Sequence, residues 1–301
     1  MSTQASHLAP PVRADLDLAP ALRARRMLAE RFLPHERLQA VIDYVDFLFY
    51  RPMQTRASGL VVSGRPGAGK SMLAKCLLKR YPQEQATDTQ PISLPVLSIE
   101  MTGAREAKTL YNRMLANLGV PDAMGYVGAD RERMVLKVCR AVRVRMLILD
   151  EIQDVLTSTA RQQRIALDTI KYLMNELQIP IITLGTSAAP DAMQLDEHLN
   201  ARFAYRSLPQ WEADAFLTSF LSALESSLPL HQPSGLTSLE TRKLLVKLSG
   251  GVLDKIVKTV CYAGAYAVET GEERITAALL QRAAVQPPAW AVLPDPVQVA
   301  A

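Results

Sequence analysis

The sequence predicts an α/β fold: a five-stranded parallel sheet lying between helices, followed by a small all-helical domain. Three observations carry this reading. Four short apolar runs, Leu60 to Val62, Val96 to Ile99, Met146 to Leu149 and Ile181 to Leu184, have the length and continuous apolarity of strands buried on both faces. Segments with helical spacing separate them, as in Ala166, Ile170, Leu173 and Leu177, and strands that alternate with helices build a parallel sheet covered on both sides. Beyond Pro209 the strand signal stops and only helical periodicity continues.

In chain order, residues 1–19 are rich in Pro and Ala with little periodicity and read as a flexible N-terminal tail. Residues 20–57 are expected to hold two helices, Leu22 to Phe32 and Leu38 to Tyr50, the second with Leu38, Val41, Ile42, Val45 and Leu48 on one side. The α/β core follows over 58–209, with Phe203 to Leu208 as its last strand. Trp211 to Leu224, Leu239 to Leu248, Val252 to Val268 and Ile275 to Ala283 read as the helices of a lid domain over 210–283. Four prolines among small residues make 284–301 a loose tail.

Composition narrows the function classes. A length of 301 residues suggests about two domains at roughly 150 residues each. With 49% hydrophobic and 21% charged residues, the chain is composed like a globular protein and not a disordered one. No uncharged apolar run approaches the roughly 18 residues of a membrane span, and the first residues show neither the basic nor the apolar region of a secretory leader. Cys76, Cys139 and Cys261 are odd in number and far apart, which fits a reduced cytoplasm better than a disulfide framework. His7, His35, His198 and His231 never fall at ligand spacing, so no structural metal is expected.

The chemistry is concentrated between two strand ends. Gly64-Arg65-Pro66-Gly67-Ala68-Gly69-Lys70-Ser71 matches G-x-x-x-x-G-K-[ST] between a strand run and a helical segment. Its glycines let backbone N–H groups turn toward phosphate oxygens, Lys70 reaches the β and γ phosphates, and Ser71 offers its hydroxyl to magnesium. Residues 64 to 72, with Met72 at the helix start, are thus expected to bind ATP. Met146-Leu-Ile-Leu-Asp150-Glu151 ends in two carboxylates. Asp150 is expected to hold Mg2+ through water, beside Ser71, and Glu151 to polarise the attacking water as general base. Glu100, which ends the run Val96 to Ile99, competes for the acidic role.

An interposed strand and a second carboxylate point to the additional-strand ATPases, and no N/T-K-x-D motif reads guanine. Thr186 follows the run Ile181 to Leu184 and Gly185, where it either senses the γ-phosphate or caps the next helix. Arg202, just before the last strand, either reaches the γ-phosphate of an adjacent subunit or completes a helix C-terminus. Arg206 is a nearby substitute.

Together these residues resemble an AAA+ ATPase. More narrowly, Asp150-Glu-Ile-Gln-Asp-Val-Leu, Thr159-Ala-Arg-Gln-Gln-Arg164, Asn175 to Thr186, Ala201-Arg-Phe203 and Leu208-Pro-Gln-Trp211 resemble the TniB branch of bacterial transposition ATPases, relatives of TnsC, over about residues 20 to 285. The resemblance implies an ATP-dependent DNA-binding regulator that oligomerises on target DNA and serves a DDE-type transposase, with a TniQ-like adaptor as further partner. Related initiator ATPases place an arginine after the Gly-Gly of the lid. Here Asp254 stands there with Lys255 beside it, which implies slow hydrolysis.

Charge supplies the DNA expectation. Nine basic residues face four acidic ones between Arg105 and Arg145, so this stretch is +5 in a chain of net +4. Such an excess attracts phosphate backbones without reading bases; two solvated helix faces would look the same. Arg105, Lys108, Arg131 and Arg133 are the expected contacts. A ring or filament on duplex DNA follows if each ATP sits between one subunit's loop and the next subunit's Arg202. An ATP-driven remodeller or helicase loader with a protein client shares every generic motif, and a scaffold that barely hydrolyses is the third reading.

Overall fold

The computed structural model describes residues 6–33, 35–52, 56–85, 87, 92–104, 106–120 and 128–291. The chain divides into two compact units, one of residues 37–209, the other of the residues up to 36 together with those from 210 onward.

The first unit is the α/β core. Helix α2 (Glu36–Tyr50) leads into β1 (Gly59–Gly64) and α3 (Lys70–Arg80). Then come β2 (Val96–Glu100), α4 (Ala107–Asn117), α5 (Gly128–Ala141) and β3 (Met146–Asp150). A 3-10 turn (Ile152–Thr157) precedes α6 (Ala160–Leu177), β4 (Ile181–Gly185), α7 (Ala189–Gln194), α8 (Glu197–Asn200) and β5 (Phe203–Leu208). The strands pair in parallel in the order β2-β3-β4-β1-β5, so β4 lies between the loop-bearing β1 and the acid-bearing β3. Parallel neighbours need crossovers, which the helices supply. Leu60, Val61, Val62, Leu147, Ile148, Leu149, Ile181 and Ile182 are all at 0% exposure, which is why the strand runs read as continuously apolar instead of alternating.

Local chemistry fixes the helices. Thr159 and Gln162 form a reciprocal capping box at the start of α6, so the Thr-Ala-Arg-Gln-Gln stretch has a structural cause. Its apolar face, Ala166, Leu167, Ile170, Leu173, Met174 and Leu177, is buried. In α2 the expected stripe is buried in full, joined by Phe49, whose ring stacks on Tyr81 at 3.8 Å.

The second unit corrects the expected domain bounds. A 3-10 helix (Pro10–Asp17) and α1 (Pro20–Arg26) join α9 (Ala215–Ser226), α10 (Leu239–Ser249), α11 (Leu253–Glu269) and α12 (Ala277–Val285). The expected tail over 1–19 is structured where it is described: Leu8 is 2% exposed, and the N–H of Ala9 donates to the carbonyl of Ser226 at 2.9 Å. The two N-terminal helices do not form one segment. Ala24 and Met27 pack among Leu217, Leu221, Ile256 and Val260, and the nearly buried Arg23 pairs with Glu273. In the expected C-terminal tail, residues 289–291 form a 3-10 turn whose Trp290 Nε1 donates to Glu269; residues 292–301 lie outside the described residues.

At the lid's Gly-Gly, both residues have positive φ, 61° at Gly250 and 71° at Gly251. A Cβ on Gly251 would meet the Trp211 carbonyl at 2.5 Å, and the Gly251 carbonyl accepts the N–H of Trp211 at 2.9 Å. Space and backbone conformation therefore both require glycine there.

Candidate nucleotide-binding and catalytic site

The loop from Gly64 to Lys70 leaves the C-terminal end of β1. Gly67 (φ 76°) and Gly69 (φ 98°) hold left-handed conformations that an L side chain disfavours. Gly69 is the N-cap of α3, and no side chain caps that turn, so the first backbone N–H groups stay available to an anion. Arg65, Pro66 and Gly67 are exposed at the mouth. Lys70 is 7% exposed, and its Nζ donates to the carbonyls of Gly64 at 2.8 Å and Arg65 at 3.1 Å. Burial pushes the ammonium pKa down while the charges of Glu151 and Asp150 hold it up. A cation in the mouth, free N–H groups behind it and two carboxylates in electrostatic reach fit a magnesium triphosphate. Ser71 is exposed at the same helix start, with Met72 next to it half-buried.

Asp150 ends β3, in register with Glu100 at the end of β2. Strand spacing decides between the two acids: Asp150 stands two strands from β1, about 10 Å laterally, and Glu100 three, about 14 Å. Burial raises the Asp150 pKa. The N–H of Glu151, which donates to its Oδ1 at 2.9 Å, works against that rise; the negative charge of Glu151 adds to it, and Lys70 opposes it.

Glu151 leaves the strand at φ 56°, a left-handed conformation that costs a non-glycine residue about 1–3 kcal/mol. Its Oε2 accepts from Gln153 Nε2, and Gln153 Oε1 accepts the N–H of Thr186 at 3.0 Å. Thr186 stands one residue past β4, beside both β1 and β3. Its Oγ1 also accepts the N–H of Ala188 at 3.4 Å, a turn contact ahead of α7; the N-cap of α7 is Ala188 and no side chain caps that helix. Gln153 is the residue that sequence reasoning missed, since no periodicity or family of spacings marks a lone amide two residues after an acid.

Arg202 is at the other end of the sheet. Its carbonyl accepts the N–H of Gly59 at 2.9 Å, and from Gly59 to Gly64 strand β1 rises about 16 Å. Its guanidinium donates to Asn175 Oδ1 at 2.7 Å. It does not meet its own loop. Arg206, paired with Val62 on β5, is exposed.

The basic stretch is not one surface. Arg131 is 2% exposed, which corrects the expectation of a DNA contact there: its guanidinium is taken up by the protein interior. Lys108 and Arg133 are exposed, and Arg105 lies outside the described residues. Arg113 donates to the carbonyls of Glu100 and Thr102. Arg140, Arg143 and Arg145 line a cavity of about 340 Å³ with Ser58 and Pro180, at the strand starts and away from the loop.

The bacterial TniB family profile matches residues 23–213, more than half of the chain. The chain belongs to the TniB family. No curated protein matches this TniB-family chain by sequence. Among solved structures it is similar to the Aeropyrum pernix ORC2 protein in its ADPNP–ADP complexes, at TM-score 0.62 and 18% identity over 88% of this chain and 72% of that one. It is also similar to the Aeropyrum pernix ORC1 protein in complex with DNA, at TM-score 0.62 and 15% identity over 87% and 68%. Cdc6p of Pyrobaculum aerophilum follows at TM-score 0.58 and 14% identity over 83% and 67%. These likenesses give the TniB-family chain an AAA+ fold, a five-stranded parallel sheet between helices with a helical C-terminal region. No helix among the described residues is long and apolar enough to cross a membrane.

Proposed function

We propose that this TniB-family chain is an AAA+ ATPase that binds ATP and Mg2+, oligomerises as a ring or filament on duplex DNA without reading sequence, and regulates DNA transposition. In this reading it recruits or activates a DDE transposase, with a TniQ-like adaptor as further partner, in the cytoplasm. Hydrolysis drives disassembly. The observation that carries the proposal is the convergence of Lys70, Asp150 and Glu151 on one end of the sheet, with Arg202 at the other.

In this reading the backbone N–H groups of the 64–71 loop and Lys70 would hold the phosphates, and Ser71 and Asp150 would hold the ion. The ion, when bound, neutralises charge on the phosphate oxygens. Glu151 accepts a proton from water, whose oxygen forms the new bond to the γ-phosphorus as the bond to the β-phosphate oxygen breaks, leaving ADP and phosphate. Thr186 orients the γ-phosphate, and Arg202 of an adjacent subunit stabilises the transferring group. Because the triphosphate needs cations from two subunits, nucleotide is coupled to assembly, and repeated weak phosphate contacts through Lys108 and Arg133 gain avidity along DNA. Asp254, which stands where initiator ATPases have arginine, lies in the first turn of α11 and pairs with Lys258 at 2.8 Å; the lack of an arginine there favours slow turnover.

Steady-state ATPase with and without duplex DNA, on the native chain and on Glu151→Gln, tests the proposal. Expected are DNA-stimulated turnover, its loss in Glu151→Gln, and longer-lived DNA-bound oligomers in that variant. Turnover stimulated by a protein client and indifferent to DNA would move the chain to the remodeller class.

A further inference from the structure

We propose that Gln153 is a positioning residue that ties the carboxylate of Glu151 to the tip of β4, so that base and phosphate sensor move as one unit; this rests on the hydrolytic reading above. Its side-chain amide makes both contacts: Nε2 donates to Glu151 Oε2, and Oε1 accepts the backbone N–H of Thr186 at 3.0 Å. A primary amide is suited to this bridge because it donates and accepts at once, whereas a carboxylate only accepts and an ammonium only donates.

The surrounding chain is arranged around that amide. The left-handed turn at Glu151 starts the 3-10 segment Ile152–Thr157, which brings Gln153 back to the end of the neighbouring strand. Ile152 (0%) and Val155 (3%) anchor the segment in the core. Asp154 Oδ2 accepts the N–H of Gly103 at 2.6 Å, and Gln163 Nε2 donates to the carbonyls of Leu156 and Ser158. Gly185 completes the slot. Its φ is not positive, so backbone freedom does not require glycine; a Cβ there would stand 2.3 Å from Gln153 Oε1 and 2.8 Å from the Ala189 Cβ. The missing side chain at 185 is the space the amide occupies. One oxygen of Glu151 is thereby held, and any shift of the β4 tip is passed to the base.

Three variants of the full chain test this, read by turnover, by affinity for a non-hydrolysable ATP analogue, and by hydrogen exchange of the Thr186 amide in nucleotide-free protein. Gln153→Ala is expected to lower kcat about 10- to 100-fold, the usual cost of a catalytic group displaced by about 1 Å. KM and analogue affinity stay within about two-fold, since the phosphate loop is untouched, and Thr186 exchange quickens. Gln153→Glu keeps an acceptor for the Thr186 N–H, so protection stays, but it loses the donor to Glu151 and kcat falls as far. Gly185→Ala, which leaves Gln153 in place and fills its slot, reproduces the Gln153→Ala profile, and the double variant is no worse than either single one. Wild-type kcat in Gln153→Ala or Gln153→Glu, or unchanged Thr186 exchange in Gln153→Ala, would overturn the proposal. If Glu151→Gln itself still turns over, the base assignment falls, and Thr186 exchange alone then decides whether the bridge exists.

Discussion

The position of Arg202 makes a quantitative prediction about subunit mixing. Its backbone is fixed at the start of β1 through Gly59, about 16 Å along the strand from its own phosphate loop, and the proposed mechanism therefore has it serve a neighbour's site. Arg202→Ala alone is expected to lose about 10³-fold or more in DNA-stimulated turnover, the range for removing such a finger. The lost hydrogen bond to Asn175 costs only about 1 kcal/mol, so the fold survives. Glu151→Gln is equally inactive for a different reason. In a mixture, the site between an Arg202→Ala subunit's loop and a Glu151→Gln subunit's arginine contains both missing groups. With random assembly at equal amounts, roughly one interface in four is intact, so about a quarter of native turnover returns, following x(1 − x) as the fraction x is varied. Coupled-enzyme ATPase on the titrated mixture measures this. A mixture that stays inactive at every ratio, or a fully active Arg202→Ala protein, would refute the trans assignment.

Other variants probe the remaining assignments. Charge reversal at Lys108 and Arg133 should weaken duplex binding and flatten the slope of log affinity against log salt by about 0.9 per lost contact, measured by anisotropy at several salt concentrations; an unchanged slope removes them from the DNA surface. Asp46 accepts from Arg80 and Tyr81; burial raises its pKa, but those bonds outweigh it and the net shift is downward. The folded carboxyl binds its proton less tightly than the unfolded one, so this stability is present above about 3.8 and is lost as pH falls through the lower folded value. Asp46→Asn should therefore melt about 3–6 °C below the native protein at pH 7, with the gap closing in acid. Gly251→Ala, which sets a Cβ against the Trp211 carbonyl at a positive φ, should destabilise by about 2 kcal/mol or more, seen as a lower urea midpoint.

What the sequence made legible was what local physics determines. Four strands are buried over most of their length and read as near-continuous apolar runs. The fifth, Phe203–Leu208, carries exposed Arg206 and Ser207 and is legible mainly from its place before the helical region. The glycines that turn the phosphate loop mark it whatever surrounds it. The boundary at Pro209 coincides with the division between the units. Arg131 was misread because its charge masked its position: it stands four and eight residues before Val135 and Cys139, both at 0% exposure, and extending that stripe back one turn would have placed it inside. The N-terminal segment was misread because its partners, such as Glu273 for Arg23, lie some 250 residues away and leave no local trace. Gln153 depends on a gap at Gly185 that only the assembled sheet creates.

The membership of α1 has an engineering consequence. Ala24, Met27 and Arg23 find their partners beyond residue 210, so the chain enters its second unit at one terminus and returns to it at the other. A transplant of the C-terminal helices alone would orphan Met27 and leave Glu273 without its guanidinium. Exchange between homologues should move both termini together, with junctions at 36–37 and 209–210, and leave the α/β segment between them intact.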